Sequence, residues 1–333
     1  MKEKLIFNEN IQYKRTYGKI SGYTTSYNCE ALGIPYVESI RSMLGFCDEV
    51  VVVDGCSSDG THEKLQELAK QDDRVKIYQN EFDWTEPGID GMQKAFARAL
   101  CEHEFLWQQD TDEIVHEDDY EKIRLITKRF PTTHCILHLP VIELWGSPSE
   151  CTGRRHCWKW RMSRNRPEIT HGINKASRLV DAKTGKMYAK KNMSDGCEYL
   201  DTMSGDMFPH TGFYSDQIEM ARLHMPDSYI EGIQEVFEKL PSVWHASWMD
   251  IPRKIQQLKP GGVWDKLWSL LYQEEAQNRF SGVDFGDQKQ IDELTLKLYN
   301  QGGEDCDQVK YKFKINKSPP QLLLTWCEKN KKV

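Results

Sequence analysis

The sequence predicts an α/β protein in which a mostly parallel sheet is flanked by helices and followed by a helical C-terminal extension. From Lys19 to about Phe130, short apolar runs alternate with amphipathic helical patterns, which is typical of a parallel sheet with crossover helices. The run at 49–54 is rich in β-branched residues, as expected of a strand buried on both faces. After about Ser215 the pattern becomes mostly helical.

Strands and helices alternate in the first 130 residues. The predicted strands are 19–27, 49–54, 74–80 and 104–109, and the predicted helices are 34–44, 62–71, 89–101 and 118–130. Pro35 is tolerated in the first turn of its helix, and the Ser and Asp residues at 57–59 are well placed to cap the next one. Short loops therefore join strand ends to helix starts, as in βα units.

The rest of the chain follows a different pattern. We expect long strands at 133–145 and 155–165, and helices at 215–225, 229–240, 248–258, 263–280 and 290–300. This organisation predicts four parts, which are an N-terminal segment (1–18), one half of an α/β domain (19–130), its second half (131–214) and a helical C-terminal extension (215–333).

Composition narrows the function classes. The formal net charge of −7 argues against nucleic-acid binding by the whole surface. No apolar stretch approaches the roughly 20 residues that span a bilayer, and the N-terminus is too polar for a secretory signal peptide.

The ten cysteines follow no regular framework, so we expect reduced thiols and a cytoplasmic protein. Cys151, His156 and Cys157 are closely spaced, but no second ligand pair follows, which favours loop thiols over zinc.

Polar clusters follow three of the predicted strands. They are TTSYNCE (24–30), DGCSSDG (54–60) and QQDTDE (108–113). Ligands of open parallel sheets bind outside the carboxyl ends of the strands. If these strands are neighbours, the clusters line one crevice. Each cluster alone is better described as a solvated loop of turn-forming residues, and only their joint occurrence weakens that interpretation.

Asp110 and Asp112 lie on either side of Thr111 at the end of a buried strand. Their carboxylates can reach the same hard cation, and carboxylate oxygens suit Mg²⁺ or Mn²⁺. Such an ion removes the repulsion between the two carboxylates, because each is then paired with positive charge. The pair therefore predicts a metal site that serves a phosphate-containing substrate.

These segments resemble motifs of the family 2 glycosyltransferases. ISGYTTSYNCE (20–30) resembles the opening strand that runs into T-x-Y-N-E-E, and DEVVVVDGCSSDGT (48–61) resembles the second-strand motif. QKAFARALCEHEFLWQQDTDE (93–113) is similar to the helix and strand before D-x-D-E. The order and spacing match over about 19–115. VWHASWMDIPRKI (243–255) is similar to a late H-Y-x-W-x-x-P-x-x-K segment of some members.

The resemblance implies a GT-A domain (Rossmann-like) that binds a nucleoside-diphosphate sugar, with a UDP-sugar favoured, together with Mn²⁺ or Mg²⁺. The residues that it places at the donor are Thr25, Tyr27, Glu30, Asp54, Lys94, Trp107 and Asp110. The residues that it places at the metal are Asp110, Asp112 and His245, with His210 in reserve. In the family the second carboxylate of D-x-D usually holds the metal, and the first approaches the sugar and ribose.

The resemblance is incomplete at two positions. Cys29 replaces the first Glu of N-E-E, and Ala246 replaces the Tyr of H-Y. Neither position supplies a group that the chemistry obviously needs, so these differences affect donor identity more than activity.

Inversion at the anomeric carbon, which is typical of the family, needs a carboxylate that takes the proton of the acceptor hydroxyl. The candidates are Glu143, Asp195, Glu198 and Asp201, with Glu198 and Asp195 favoured by their distance from D-x-D. Taken alone, each of these residues is better described as a surface acid than as the base. Taken alone, His171, His210 and His245 are each better described as packed or surface histidines, and only the resemblance favours His245 as a ligand.

Positive charge is concentrated at 153–191. This segment contains twelve Lys and Arg residues and only two acids, Glu168 and Asp181. Trp158 and Trp160 alternate there with Lys159 and Arg161, as on a strand with one apolar and one basic face. One interpretation is a basic strand face paired with acids elsewhere. The other is a surface for an anionic acceptor, such as a glycan, a lipid headgroup or, less favoured, a nucleic acid.

Two rival functions use a similar fold. A nucleotidyltransferase usually opens with a glycine-rich basic loop after the first strand, which TTSYNCEALG (24–33) does not supply. A non-catalytic sugar- or nucleotide-binding protein has little reason to keep a costly acidic cluster. A metal-dependent, inverting glycosyltransferase is therefore the predicted function.

Overall fold

The computed structural model describes residues 17–86, 88–130, 135–152, 158–173, 178–188, 199–200, 227–263, 265–266, 280, 282–301 and 312–331. Within these residues the strands of the main sheet follow the order β14 (Lys312–Lys314), β7 (Glu150–Thr152), β6 (Ile136–Trp145), β8 (Trp158–Arg164), β4 (Phe105–Gln108), β1 (Ile20–Ser26), β2 (Glu49–Asp54) and β3 (Val75–Gln79). Two further strands, β13 (Val243–Trp248) and β5 (Glu113–Val115), join the sheet beside β6. The predicted α/β class is thereby confirmed.

The first half of the sheet is parallel. It contains β1 (Ile20–Ser26), β2 (Glu49–Asp54), β3 (Val75–Gln79) and β4 (Phe105–Gln108). β1 lies between β2 and β4 and pairs in parallel with both. The central run of valines in β2 is fully buried because helices cover both faces of the sheet. As expected, the carboxyl ends of β1, β2 and β4 therefore share one edge.

Helices connect these strands within two residues of their predicted bounds. They are α1 (Tyr36–Leu44), α2 (Thr61–Gln71), α3 (Ile89–Ala99) and α4 (Tyr120–Arg129). Ile40 and Met43 of α1 are fully buried against the sheet, as their helical spacing predicts. These contacts fix the position of the strand ends.

The second half of the sheet is mostly antiparallel. β5 (Glu113–Val115), β6 (Ile136–Trp145), β7 (Glu150–Thr152) and β8 (Trp158–Arg164) follow in the chain. β8 runs antiparallel to both β4 and β6 and so joins the two halves. A smaller sheet contains β9 (Ile169–His171), β10 (Leu179–Asp181), β11 (Met187–Tyr188) and β12 (Tyr199–Leu200).

The C-terminal part, predicted as a helical extension, contains α5 (Asp227–Lys239), α6 (Ile251–Leu258), α7 (Gln288–Gln301) and α8 (Gln321–Lys329). It also supplies two strands to the main sheet, β13 (Val243–Trp248) and β14 (Lys312–Lys314). β13 is parallel to β6 and antiparallel to β5. This part is therefore built into the α/β domain. The helix predicted at 215–225, and most of that predicted at 263–280, lie outside the described residues.

Candidate active site

Two loops at the carboxyl edge are held together by short hydrogen bonds. After β1, Asn28 accepts the Ser58 N–H at 2.9 Å and donates its own N–H to the Ser57 hydroxyl at 2.9 Å. The Ala31 N–H donates to the Asp59 carboxylate at 2.7 Å. Asn28 adopts a φ of 47°, a left-handed conformation that Asn tolerates well. The loops after β1 and β2 therefore form one rigid side of a crevice.

Asp54 anchors the second of these loops. Its carboxylate is fully buried and accepts the Ser57 hydroxyl at 2.5 Å, the Ser57 N–H at 3.0 Å and the Ser26 hydroxyl at 3.1 Å. The His62 imidazole lies 3.4 Å away. These contacts fix the Asp54 carboxylate within the loop that follows β2.

Aromatic rings lie beside the same loops. Tyr27 contacts Phe82 with ring centroids 5.4 Å apart and Trp84 with centroids 5.3 Å apart. Phe82 and Trp84 pack on each other at 4.5 Å. All three are only partly buried, and Thr25 is likewise half-buried. Phe82 and Trp84 were not predicted from the sequence, although the aromatic pair in EFDW directly after the third strand is a recognisable signal.

Glu30 and Cys29 end the first loop. Glu30 accepts a hydrogen bond from the Tyr36 hydroxyl at 2.8 Å and pairs with Lys64 at 2.5 Å. Cys29, where the family has Glu, is buried, and burial raises the pKa of its thiol to about 12. The substitution thus replaces a charged side chain with an inert thiol below the crevice.

Asp110, the first carboxylate of the D-x-D sequence, is held by a cation and an amide. One of its oxygens lies 3.1 Å from the Lys94 ammonium and accepts a hydrogen bond from Gln108 at 2.8 Å. Burial by itself would raise the pKa of Asp110, but the charges of Lys94 and Arg161 outweigh it and hold the pKa well below its usual range. A third of its side chain stays exposed to the crevice.

Glu113 closes the turn that carries D-x-D. Its carboxylate accepts the Asp110 N–H at 3.0 Å, and its own N–H donates to the Asp110 carbonyl at 3.0 Å. The same fully buried carboxylate pairs with Arg161. Gln109 adds hydrogen bonds to the Glu113 carbonyl at 2.7 Å and to the Ser39 hydroxyl at 3.0 Å. Glu113 therefore orients its neighbours.

Asp112 and His245 meet although 133 positions of chain separate them. Asp112 Oδ1 lies 3.3 Å from His245 Nε2, and the Ala246 N–H donates to the Asp112 carbonyl at 2.7 Å. Burial would raise the pKa of Asp112, but the charge of His245 outweighs it and lowers the pKa to about 2. For His245, burial would lower the pKa, but Glu143 and Asp112 raise it to about 9.

His245 reaches this position because β13 enters the sheet between β5 and β6. In the strand register, His245 stands opposite Glu113 of β5 and Glu143 of β6. Glu143 Oε2 lies 2.5 Å from His245 Nδ1, and Glu143 Oε1 lies 3.2 Å from the Lys159 ammonium. The predicted base candidate Glu143 thus contacts the predicted metal ligand.

The prediction that Trp107 contacts the donor is wrong. Its side chain is fully buried and packs edge-on against Phe46 at 4.9 Å. Its indole N–H donates to Gln109 at 3.0 Å. Alternation along β4 directs Trp107 into the core below the sheet. His171 is also a packed residue, because it is buried and hydrogen-bonded to the Tyr23 hydroxyl at 2.7 Å.

The donor set around Asp112 fits a divalent cation. A carboxylate and an imidazole nitrogen converge there, and Mg²⁺ and Mn²⁺ are commonly held by one or two protein carboxylates plus substrate phosphates. Among the described residues, no group of three or more His, Cys, Asp or Glu side chains is arranged to hold a metal. The site therefore suits an ion that a diphosphate helps to bind.

Several predicted residues lie outside the described part of the chain. They are Asp195, Glu198, Asp201, His210, His156 and Cys157. Their predicted roles as base, reserve ligand or loop thiol stay predictions.

The described Lys and Arg residues of the segment 153–191 form salt bridges mainly with glutamates. Lys159 and Arg161 point towards the carboxylates of the crevice, where Lys159 lies 3.2 Å from Glu143. On the other side of β8, Arg164 pairs with Glu104 at 3.0 Å. For these residues the structure favours the interpretation of a basic strand face neutralised by acids elsewhere, rather than a free anionic-acceptor surface.

Residues 23–141 match the family described as Glycosyl transferase family 2. This part of the chain is a family 2 glycosyltransferase domain. The match begins in β1, ends in β6 and includes both loops and the D-x-D turn. The sequence match thereby confirms the predicted family for this part of the chain. No curated protein has a matching sequence.

Solved glycosyltransferase structures show limited similarity. TarS 1–349 from S. aureus in complex with UDP is 25% identical over 38% of this chain and 35% of its own, with a TM-score of 0.29. The UDP-GlcNAc complex of TarS 1–349 aligns over 85% of this chain and 81% of its own, at 16% identity and a TM-score of 0.34.

A third structure is the mannosyltransferase PcManGT from Pyrobaculum calidifontis in complex with GDP-Man and Mn²⁺. It is 15% identical over 46% of this chain and 47% of its own, with a TM-score of 0.33. The chain thus spans less than half of the UDP-bound TarS fragment and of the mannosyltransferase. With similarity this low, the assignment of the family 2 domain depends on the sequence match and on the site geometry.

Proposed function

We propose that the family 2 domain transfers a glycosyl group from a nucleoside-diphosphate sugar to an acceptor hydroxyl, in a metal-dependent and inverting reaction. The observation that carries the proposal is the pairing of Asp112 with His245 at the end of β4, on the same crevice edge as the loops after β1 and β2. A metal-binding pair beside polar loops at this edge suits a phosphate-bearing ligand.

The nucleotide would bind along the loops after β1 and β2, which hydrogen bonds hold together. The half-buried rings of Tyr27, Phe82 and Trp84 offer stacking surfaces for a base. Because Asp54 is already engaged by the protein, its proposed part is to hold the loop that contacts the nucleotide. Lys94 keeps Asp110 ionised, so that the exposed part of this carboxylate can accept hydrogen bonds from sugar or ribose hydroxyls.

Asp112 and His245 would hold the cation. When bound, a divalent ion supplies positive charge that stabilises the diphosphate as it leaves. An imidazole ligand is better suited to Mn²⁺ than to Mg²⁺, which prefers oxygen ligands, so we expect Mn²⁺ to support the higher activity. Lys159 and Arg161 add fixed cations on the acceptor side of the same carboxylate cluster.

Inversion requires a carboxylate on the side opposite the leaving group, where it takes the proton of the acceptor hydroxyl. Asp195 and Glu198 stay the proposed bases on sequence grounds. The acceptor class stays that of a glycan, a lipid-linked sugar or another anionic molecule.

A cytoplasmic location is part of the proposal. The described cysteines Cys29, Cys47, Cys56, Cys101, Cys135, Cys151 and Cys327 are free thiols. Free thiols suit a reducing compartment. Within the described residues, no helix has the length and apolar character to cross a membrane.

The test is release of nucleoside diphosphate. The protein is incubated with UDP-, GDP- and dTDP-sugars, with and without Mn²⁺, and the products are separated by ion-exchange chromatography. We expect Mn²⁺-dependent release of nucleoside diphosphate from one donor, with a UDP-sugar as the first candidate. Formation of pyrophosphate from a nucleoside triphosphate and a sugar phosphate would instead establish a nucleotidyltransferase.

A further inference from the structure

We propose that Glu143 is a positioning residue for the metal ligand His245 and does not act as the general base. The inference concerns residues of this chain and depends on the metal site of the proposed function. Glu143 is on β6, and the parallel register of β6 and β13 places it beside His245. Adjacent strands hold the pair together.

Both oxygens of the Glu143 carboxylate are already engaged. Oε2 lies 2.5 Å from His245 Nδ1, and Oε1 lies 3.2 Å from the Lys159 ammonium. The Glu143 side chain is only 5% exposed. A general base needs an oxygen within hydrogen-bond reach of the acceptor hydroxyl. With a protein cation at each oxygen and a side chain that is almost fully buried, Glu143 is poorly placed to reach an acceptor hydroxyl.

The hydrogen bond also determines which nitrogen of His245 faces the crevice. An ionised carboxylate only accepts hydrogen bonds, so Glu143 requires a proton on Nδ1. The other nitrogen, Nε2, then points to Asp112 at 3.3 Å and is the one that can bind a metal. Carboxylate–histidine–metal arrangements of this kind orient the ring and raise the basicity of the ligand nitrogen.

β5 restrains the pair from the opposite side. His245 stands opposite Glu113 in the β13–β5 register, and Lys159 lies 3.5 Å from Glu113 as well as 3.2 Å from Glu143. Lys159 therefore bridges the two glutamates and fixes the Glu143 carboxylate without competing for Nδ1. The Glu143 carboxylate is therefore fixed in the position from which it orients the His245 ring.

The experiment measures Mn²⁺ affinity directly. Free Mn²⁺ is followed by electron paramagnetic resonance as the full chain is titrated, with and without UDP. We expect Glu143→Gln to weaken Mn²⁺ binding about 10- to 100-fold, the usual cost of removing a carboxylate behind a metal-bound histidine. Glu143→Asp keeps the charge but shortens the side chain, so it should weaken binding as well.

Two comparisons separate positioning from a structural effect. Glu49→Gln changes another buried glutamate, at the amino end of β2 and remote from the crevice, and should leave Mn²⁺ affinity unchanged. In a His245→Gln background, Glu143→Gln should weaken Mn²⁺ binding no further, because its effect passes through His245. Circular dichroism melting establishes that each variant is folded.

The turnover rate distinguishes a positioning residue from a base. In Glu143→Gln, hydrolysis of the donor should approach the wild-type kcat once Mn²⁺ is saturating. Unchanged Mn²⁺ affinity in both Glu143 variants, or a kcat that stays at least about 100-fold low at saturating Mn²⁺, would overturn the inference and restore Glu143 as a base candidate. If the wild-type protein binds no Mn²⁺ with or without UDP, the metal-dependent function fails as well.

Discussion

Asp54 and Asp112 both follow apolar runs of the parallel sheet, but the protein surrounds them differently. Asp54 is fully buried, and its carboxylate is engaged by Ser26, Ser57 and His62. Asp112 is also buried, but it contacts His245 at 3.3 Å and lies next to the partly exposed Asp110. In the proposed function the first aspartate holds a loop and the second offers a ligand atom. The hydrogen-bonding and charged partners around a strand-end aspartate therefore determine what its carboxylate can bind.

The largest expected effect comes from Asp112→Asn. The amide loses the charge that pairs with a cation, so Mn²⁺-dependent release of nucleoside diphosphate should fall on the order of 10³-fold. Stability should fall by about 1–3 kcal/mol, because Asp112 is buried and its charge pairs with His245, but the protein should stay folded. Ion-exchange product analysis and urea unfolding measure the two quantities. Asp118→Asn, on the exposed loop that follows, is the matched control. An unchanged rate in Asp112→Asn would remove the metal assignment.

Asp54→Ala should lower stability while leaving turnover largely intact. It leaves the Ser57 N–H and two hydroxyls without their acceptor in a buried setting, which costs about 1–3 kcal/mol of the free energy of unfolding. Urea denaturation measures this loss. Turnover at saturating donor should be affected much less than in Asp112→Asn. Full stability combined with abolished donor binding would show that Asp54 contacts the nucleotide directly.

Lys94→Met gives the smallest expected effect. It removes the closest cation from Asp110, while Arg161 stays at 4.0 Å. We expect kcat/KM for the donor to fall about tenfold, the equivalent of one charge-assisted hydrogen bond. Lys122→Met, which removes a cation from the buried Asp119 outside the crevice, should lower stability and leave the donor KM unchanged. Equal effects of both variants on KM would argue against a specific role for Lys94.

Much of the first half of the fold was predictable. Alternating apolar runs and amphipathic patterns placed β1 to β4 and α1 to α4 within two residues of their observed bounds. Periodicity is a local property, so it can be read without knowing the tertiary structure. The shared edge also followed, because polar clusters ended three strands that proved to be neighbours.

The roles within the site were less predictable. Trp107 and Asp110 lie three positions apart, yet one packs in the core and the other opens to the crevice. Phe82 and Trp84 became candidates only when their rings were found against Tyr27. Side-chain direction at the end of a strand depends on the turn that follows, and here Glu113 and Gln109 determine that turn through contacts with β8 and α1.

The sequence by itself determined the α/β class, the family resemblance and the carboxylate pair at the end of β4, because each depends on residues close together in the chain. The family resemblance already grouped His245 with Asp112, but only the tertiary structure decided that Lys94 and Arg161 lie beside Asp110 and that Glu143 contacts His245. His245 lies on β13, in a part of the chain that reads as mostly helical, and it meets Asp112 and Glu143 through the pairing of β13 with β5 and β6. Such a meeting depends on long-range strand pairing, which no local pattern encodes.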